Sequence, residues 1–251
     1  MVAESSGTTW LRELRGAPAP RAILICFPPG GGSAAAYRAL AQHIDPAIAV
    51  HAVQYPGRQD RLGDPLIPDL PRMADLIAAD LPTWPPSARI ALFGHSMGAT
   101  VAFETARRRA ASGRTPDHLF VSGRVAPDAP YEGALHKGPD EALIAELQRL
   151  ANDPASVEIL RTEPSLAELV LPAVRSDYEA VETYTYTPAD PLTCPISALL
   201  GDDDPTVNAD DMRRWHSHTT APFDLTTFPG RHFYLDETPT AVAHLISTRL
   251  A

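Results

Sequence analysis

Cysteine, positive charge and long apolar runs are all scarce in this sequence. Its 251 residues include two cysteines, Cys26 and Cys194, and no paired C-x-x-C motif, so neither a disulfide framework nor a zinc site of that kind is indicated. Both lie in apolar, strand-like runs, where a free cysteine usually serves as a small buried hydrophobe. No apolar run approaches the ~20 residues that span a bilayer, and the N-terminus has no apolar signal core. We therefore expect a cytoplasmic protein without a membrane partner.

The shortage of positive charge bears on possible partners. Lysine and arginine together number 21 against 31 aspartate and glutamate residues, which gives a formal net charge of −10. Proteins that bind nucleic acids use lysine and arginine to neutralise phosphates, so a nucleic-acid partner is not expected. The plainer interpretation of the acidity is solubility. Neither a cofactor nor a metal ion is predicted from the sequence.

Short apolar runs alternate with helical patterns along most of the chain. The sequence predicts strands near residues 21–27, 47–54, 89–93, 117–122, 195–200 and 222–228. Helical patterns lie near residues 34–43, 69–81, 96–112, 207–217 and 237–249. The alternation predicts a single α/β domain, 1–251, with a mainly parallel central sheet and helices on both faces. Catalytic residues in such sheets gather at the carboxyl ends of the strands.

The alternation is interrupted once, over residues 131–188, where helical patterns occur without a strand. The stretch EALIAELQRLAN predicts a helix that ends at Asn152–Asp153–Pro154. A second helical stretch contains Pro172, which predicts a boundary or a kink. These helices either extend the core or form a lid over the active site. We favour a helical lid because of where the insertion falls in the chain order.

The sequence G-H-S-M-G, residues 94–98, directly follows the predicted strand RIALF and begins a helix. This is the G-x-S-x-G pattern in the strand–turn–helix context that a nucleophilic serine requires. Gly94 and Gly98 lack a Cβ, so strand and helix can approach closely around Ser96, whose Oγ is exposed on a strained turn. The helix N-terminus then directs free N–H groups toward developing negative charge. The alternative is a glycine-rich helix start with Ser96 as N-cap, which does not by itself require glycine on both sides.

A serine hydroxyl is a poor nucleophile until a base removes its proton, and in this arrangement the acid and then the histidine follow the serine in the chain. His232 is the predicted base, because it lies in a loop directly after the last predicted strand. His216 and His218 lie at a helix end and are interpreted as solvent-facing residues or as partners of the helix dipole. His118 begins a strand, and His244 lies within the final helix.

Three aspartates, Asp202, Asp203 and Asp204, follow the fifth predicted strand, and strand alternation does not choose among them. The recurring hydrolase arrangement at this loop is G-x-x-D, which selects Asp204. The other two would then be carboxylates of the loop or of the next helix N-terminus. Asp204 would accept the Nδ1–H of His232, fix its tautomer and stabilise the imidazolium. The predicted catalytic triad is therefore Ser96, Asp204 and His232.

Two backbone N–H groups are expected to form the oxyanion hole. One belongs to Met97, the residue after the nucleophile. The other comes from the loop after the first predicted strand, where Pro28 and Pro29 have no N–H and Gly30 is the first available donor. The competing interpretation is a phosphate-binding loop. It is disfavoured because the P-loop Lys–Ser/Thr pair and a G-x-G-x-x-G spacing are both missing.

With these residues in place, the chain resembles the type II thioesterases that accompany polyketide synthases and nonribosomal peptide synthetases. FPPGGGSAAAYRAL is similar to that family's F-P-x-A-G-G-S-A opening, VQYPGRQDR to its Q-Y-P-G-R-x-x-R segment, and GHSMGA to its elbow. VSGRVAP, LPAVRSDYEAVETYTY, GDDDP and FPGRHFYL follow in the family's order, so the resemblance covers residues 20–236. The Q-Y-P-G-R and R-x-D stretches are far more specific than G-x-S-x-G alone.

The resemblance implies an α/β-hydrolase fold with a helical lid, in agreement with the insertion. It also implies hydrolysis of acyl groups from the 4′-phosphopantetheine thiol of an acyl or peptidyl carrier protein, and we expect a monomer. One departure is Gly30, where the family usually has alanine; the backbone donor remains, although the loop gains flexibility. Arg58 and Arg61 lie in the matching segment, where they shape the pocket or meet the pantetheine phosphate, or else form structural ion pairs.

Two other functions remain open at this point. One is an esterase or acyltransferase that acts on a free small molecule. The other is a non-catalytic, chaperone-like or binding partner of a synthase. An activated serine separates the enzymes from the binding partner, because only an activated serine reacts quickly with a fluorophosphonate.

Overall fold

The computed structural model describes residues 9–129 and 133–251, and within them a seven-stranded sheet. Its strands are β1 (Leu11–Arg15), β2 (Ala22–Phe27), β3 (Ile48–Val53), β4 (Arg89–His95), β5 (His118–Ser122), β6 (Ile196–Gly201) and β7 (Phe223–Phe228). They lie in the order β1-β3-β2-β4-β5-β6-β7, and all neighbouring pairs except β1 and β3 are parallel. The predicted mainly parallel sheet is confirmed.

The strand β1 is the element of this sheet that the sequence analysis does not predict. It runs antiparallel to β3, with Leu11 opposite Val53 and Glu13 opposite His51. Its sequence LRELR is half-buried and mostly charged, so hydrophobicity gives little strand signal. Arg15 donates hydrogen bonds to three backbone carbonyls around the start of β3, which attach the edge strand more firmly than its two leucines alone would.

Helices lie on both faces of the sheet, as predicted. In chain order they are α1 (Arg38–His43), α2 (Leu70–Asp80), α3 (Met97–Ala111), α4 (Asp140–Leu150), α5 (Ile159–Thr162), α6 (Pro164–Glu182), α7 (Ala209–Arg213), α8 (Tyr234–Glu237) and α9 (Pro239–Arg249). Short 3-10 turns span Ala34–Tyr37, Gln59–Arg61, Leu135–Lys137, Pro154–Val157 and Arg214–His218. None of the helices in the described ranges is both long and apolar enough to cross a bilayer.

The core is divided into two clusters by the sheet itself. Residues of β2 are all buried, and alternate side chains point to opposite faces: Ile23 and Ile25 join a cluster with α2 and α3, whereas Leu24 and Cys26 join a cluster with α1 and α9. Burial on both faces explains why the central strands read as continuous apolar runs. Cys26 and Cys194 are both buried and free, in agreement with their apolar surroundings in the sequence.

The predicted insertion is mainly helical in its described part. Residues 131 and 132, at its start, lie outside the described residues, as do residues 1–8 and 130 of the predicted domain. From residue 133 to β6 it contains α4, α5 and α6 without a strand. The helix predicted to end at Asn152–Asp153–Pro154 is α4, which ends at Leu150. Pro172 is not a boundary, because α6 continues through it. The insertion has a small apolar cluster of its own, formed by Leu143, Ile144, Leu160, Leu171 and Val174.

Candidate active site

Ser96 occupies a sharp turn between β4 and α3. Its backbone has φ 55° and ψ −125°, a conformation that non-glycine residues rarely adopt and that is concentrated at functional sites. A Cβ at Gly94 would lie 2.1 Å from the carbonyl oxygen of Gly98, and a Cβ at Gly98 would lie 2.0 Å from that of Phe27. Both positions therefore require glycine, which allows the predicted close approach of strand and helix around Ser96.

The Ser96 side chain does not cap the helix that follows it. Its hydroxyl makes no capping hydrogen bond to α3, so the interpretation of Ser96 as an ordinary N-cap is wrong. The turn is fixed through the backbone instead, because Ser96 N–H donates to the carbonyl oxygen of Ser122 on the neighbouring strand at 2.8 Å. The hydroxyl is left half-buried at the wall of a pocket, which is the position a nucleophile needs.

His232 and Asp204 meet beside this turn. His232 follows β7, is 2% exposed, and donates its Nδ1–H to Asp204 Oδ2 at 2.8 Å. The carboxylate of Asp204 is fully buried at the end of β6. Burial alone would raise the pKa of Asp204, but hydrogen bonds from His232 and Thr206 outweigh it and hold that pKa below its ordinary value. Asp204 therefore remains ionised and, as the acceptor of the Nδ1–H, orients the ring of His232.

Thr206 is a site residue that the sequence analysis missed. Its backbone N–H and its hydroxyl both donate to Asp204 Oδ1, at 2.8 and 2.7 Å, so that the carboxylate oxygen not used by His232 is also bound. The sequence does contain a signal for this contact, because an aspartate commonly accepts a hydrogen bond from the backbone N–H two residues further on. The other aspartates of the loop lie elsewhere: Asp202 accepts from Gly230 N–H, and Asp203 is exposed.

Two of the other histidines considered as bases, His118 and His218, have partners outside the site. His118 bonds to Ser197, and His218 is buried and pairs with Asp128 at 3.1 Å. The interpretation of His218 as solvent-facing is therefore wrong. Buried polar side chains need a partner, and Asp128 supplies one from a loop that helix-end reasoning does not reveal.

A second histidine supports the first, and the sequence analysis did not single it out. His95, the variable position of the elbow motif, is buried with its ring centroid 4.8 Å from that of His232. Its Nδ1 bonds to Ser122 Oγ at 2.9 Å, and Ser122 bonds to the hydroxyl of Tyr234 at 2.6 Å. Burial, and then the neighbouring His232, lower the pKa of His95 well below its ordinary value. His95 is therefore a neutral ring that packs behind His232.

Ser96, Thr206 and His232 line one pocket of about 280 Å³. Ser96 and His232 contribute to its wall together with Gly30 and Met97, whose N–H groups are the predicted oxyanion donors. No hydrogen bond joins Ser96 Oγ to His232 within the described part of the chain, and such bonds commonly tighten only when substrate binds. The opposite wall comes from the insertion, through residues of α4 and α6 that include Leu147, Leu150, Tyr178 and Val181.

Arg58 and Arg61 both form structural ion pairs. Arg58 is buried and pairs with Asp177, while Arg61 pairs with Asp64 and lies over the ring of Trp10. Structural ion pairing, one of the interpretations left open, therefore applies to both arginines. Across residues 9–129 and 133–251, no three His, Cys, Asp or Glu side chains are grouped as a metal site would require.

Comparison with known proteins agrees with this fold. The thioesterase domain family matches residues 22–250. Thioesterase PikA5 of Streptomyces venezuelae is 40% identical over 242 residues, which cover 96% of this chain and 85% of that protein. The structure of BorB, a type II thioesterase from the borrelidin biosynthetic cluster, is 42% identical with a TM-score of 0.85, covering 96% of this chain and 98% of that one. YbtT, a type II thioesterase from the yersiniabactin pathway, is 30% identical with a TM-score of 0.86 over the same shares.

The sheet order, the nucleophile-elbow turn and these structural matches define an α/β-hydrolase that cleaves thioesters. More specifically, the chain belongs to the thioesterase family, and its resemblance to the type II thioesterases of polyketide and nonribosomal peptide pathways is confirmed.

Proposed function

We propose that this thioesterase hydrolyses acyl groups from the phosphopantetheine thiol of acyl or peptidyl carrier proteins, removing stalled or misprimed units in polyketide or nonribosomal peptide biosynthesis. The observation that carries the proposal is the shared pocket: Ser96 and His232 lie on one wall, and the helical insertion forms the other. An acyl chain bound between these walls would be shielded from water while its thioester reaches Ser96. The origin of BorB and YbtT in such pathways supports the same substrate class.

In the proposed acylation step, His232 Nε2 removes the proton of Ser96 as Oγ attacks the thioester carbonyl carbon. The carbonyl oxygen becomes negatively charged and is stabilised by the N–H groups of Gly30 and Met97. The C–S bond then breaks, and the carrier thiol leaves with the proton from His232. Asp204 stabilises the imidazolium while it exists, and its lowered pKa keeps it charged for that purpose.

In the proposed deacylation step, water replaces the thiol beside the acyl-serine ester. His232 removes a proton from the water, which attacks the ester carbonyl, and the same two N–H groups stabilise the oxyanion again. Ser96 Oγ leaves and recovers its proton from His232. The acid is released, and the enzyme returns to its starting state.

The nucleophile is tested by Ser96→Ala. Because no other group would form the acyl intermediate, we expect turnover to fall at least about 10³-fold, while the fold and carrier binding persist. Release of labelled acyl groups from a carrier protein and calorimetric binding to that carrier measure the two properties. A near-normal hydrolysis rate in this variant would refute the role of Ser96. Fluorophosphonate labelling of the wild-type enzyme gives an independent check of serine activation.

The carrier is tested by comparing one acyl group in two forms, on a phosphopantetheinylated carrier protein and on p-nitrophenol. The proposal expects a higher kcat/KM for the carrier form, because the pantetheine arm and the carrier surface add binding energy. Equal or better use of the free ester would instead identify a small-molecule esterase.

We also propose that the enzyme is a cytoplasmic monomer. Its two cysteines are buried and unpaired, which suits a reducing compartment. Light scattering at several protein concentrations tests the monomer, because a dimer would double the measured mass.

A further inference from the structure

A buried ion pair joins the insertion to the segment after β3. Arg58 makes two hydrogen bonds with the carboxylate of Asp177 on α6, from Nη1 to Oδ2 at 2.6 Å and from Nη2 to Oδ1 at 2.9 Å. The two side chains are only 9% and 1% exposed. A buried pair is weak evidence of added stability, because desolvation of both charges opposes their attraction. The contacts that the pair makes with the rest of the site are more informative.

Both members of the pair also bind the glycine loop after β2. Gly31 N–H donates to Asp177 Oδ2 at 2.7 Å, and Arg58 Nη1 donates to the carbonyl oxygen of Gly32 at 3.1 Å. Gly31 has φ +74°, and a Cβ there would lie 3.0 Å from a methyl group of Val174 on α6. Three consecutive glycines would otherwise be flexible, so the ion pair supplies order that the loop sequence does not.

Gly30, whose N–H is the proposed oxyanion donor, lies directly beside the pair. A Cβ at Gly30 would be 3.6 Å from the Cβ of Asp177, and both residues line the pocket with Ser96. A bare carboxylate at this position would repel the negative charge that develops on the thioester oxygen, and a poorly solvated site strengthens that repulsion. The bidentate contact with Arg58 neutralises it.

We propose that Arg58 and Asp177 are positioning residues for the oxyanion hole: together they hold the loop that presents Gly30 N–H, and Arg58 neutralises the carboxylate beside the developing oxyanion. This inference rests on the proposed function, in which Gly30 is an oxyanion donor. According to this inference, α6 affects the rate of the reaction through Asp177, in addition to forming part of the pocket wall.

The two members are not equivalent, and their difference provides the test. Arg58→Gln leaves the carboxylate of Asp177 uncompensated, so kcat is expected to fall about 10²-fold, comparable to the loss of one oxyanion donor. Asp177→Asn removes the negative charge and keeps an oxygen for Gly31 N–H but loses the bidentate contact with Arg58, so kcat is expected to fall about tenfold. Arg58→Lys restores the positive charge without the bidentate geometry and should recover most of kcat. In all three variants KM should stay within about threefold, because the pair is proposed to act on the oxyanion, whose charge develops only in the transition state.

The assay is hydrolysis of a p-nitrophenyl acyl ester, which needs no carrier protein. A failure of the carrier proposal therefore leaves this test intact, and Ser96→Ala measured alongside shows whether the hydrolysis uses Ser96. Affinity for an alkyl boronic acid gives a second readout, because its tetrahedral adduct with a serine places an oxygen in the oxyanion hole. This affinity should fall in parallel with kcat/KM.

Two matched controls make the same chemical changes in exposed ion pairs nearby. Asp140→Asn removes the ion-pair partner of Arg175, which lies two residues before Asp177 on α6. Arg12→Gln removes the ion-pair partner of Asp60, which lies two residues after Arg58. Exposed pairs contribute little, so both controls should keep kcat within about twofold.

Equal losses of kcat in Arg58→Gln and Asp177→Asn would overturn the proposal, as would a folded Arg58→Gln enzyme with wild-type kcat. If circular dichroism shows that Arg58→Gln does not fold, Asp177→Asn and Arg58→Lys are used to test the proposal instead. Parallel decreases in kcat and boronate affinity at constant KM then support the proposal, and unchanged values in both variants overturn it.

Discussion

The two walls of the active-site pocket are constructed differently. The sheet wall carries Ser96, Asp204 and His232 on turns at the carboxyl ends of β4, β6 and β7, and buried hydrogen bonds fix each turn. The insertion wall consists of α4 and α6, which pack around a small apolar cluster of their own, while Ala180 and Val181 near the end of α6 join one of the two large clusters of the sheet. The predicted reacting groups thus lie on the sheet wall, and the surfaces that would contact an acyl chain lie mainly on the wall with the smaller core.

The insertion wall is itself attached unequally at its two ends. The α6 end is held by the buried pair of Arg58 and Asp177. The α4 end is held by three hydrogen bonds: those from Arg149 to Pro205 and from Arg231 to Arg149 are exposed, and the one from Asn152 to Phe233 is half-buried. Water competes for surface hydrogen bonds, so each adds little to stability. We infer that α4 separates from the sheet more readily than α6 does.

The largest expected effect comes from the sheet wall. Asp204→Asn replaces the acceptor of His232 Nδ1–H with an amide that can impose the wrong tautomer, so kcat should fall about 10⁴-fold with little change in KM. Steady-state hydrolysis of a carrier-bound thioester measures this. Asp203→Asn is the matched control in the same loop, and its exposed side chain predicts a kcat close to that of the wild type. A similar loss in both variants would contradict the assignment of Asp204.

An intermediate effect is expected when the small cluster of the insertion is weakened. Ile144→Ala removes buried methylene and methyl groups, which costs about 2–5 kcal/mol where a core side chain is truncated. Because this cluster is separate, hydrogen exchange should accelerate in α4 and α5 while the amides of the sheet keep their protection. Ile48→Ala, at a fully buried position of β3, should instead accelerate exchange across the sheet. Uniform acceleration in both variants would show that the two walls unfold together.

The smallest effect is expected at the surface attachment of α4. Asn152→Ala removes the hydrogen bond to the carbonyl oxygen of Phe233, which is worth about 0.5–1.5 kcal/mol. If α4 opens to admit substrate, KM for a carrier substrate should change by up to about tenfold with kcat nearly constant. Gln148→Ala, which removes a hydrogen bond within the insertion to Glu158, should leave KM unchanged. A loss confined to kcat would place Asn152 in the chemistry rather than in access.

The sheet wall could be predicted from the sequence far better than the insertion wall. Central strands are buried on both faces, so their apolar runs are visible in the sequence. The two elbow glycines are required because a Cβ at either position would lie 2.0–2.1 Å from a backbone carbonyl oxygen. Strand β1 was missed because its charged residues carry no such pattern. Pro172 predicted a boundary or a kink because proline ordinarily ends or bends a helix, whereas α6 continues through it.

The partners of the site residues could not be predicted where they are distant in the sequence. Thr206 and Asp204 are close in the chain, but His95, Ser122 and Tyr234 come together only when β4, β5 and α8 are placed in space. The pairing of Arg58 with Asp177 likewise spans 119 positions of sequence. Motifs identify residue types that chemistry requires, whereas long-range partners depend on the topology that brings segments together.

The burial of the two cysteines has a consequence for an enzyme whose product is a free thiol. Thiol exchange begins with a thiolate, and burial raises the pKa of Cys194 to about 11 and that of Cys26 further still. Neither sulfur can therefore intercept an acyl group by transthioesterification or form a mixed disulfide with a released pantetheine arm. A cysteine introduced on α4 could accordingly carry a maleimide dye without removal of the native thiols, and α4 motion could be followed by fluorescence in an otherwise unaltered enzyme.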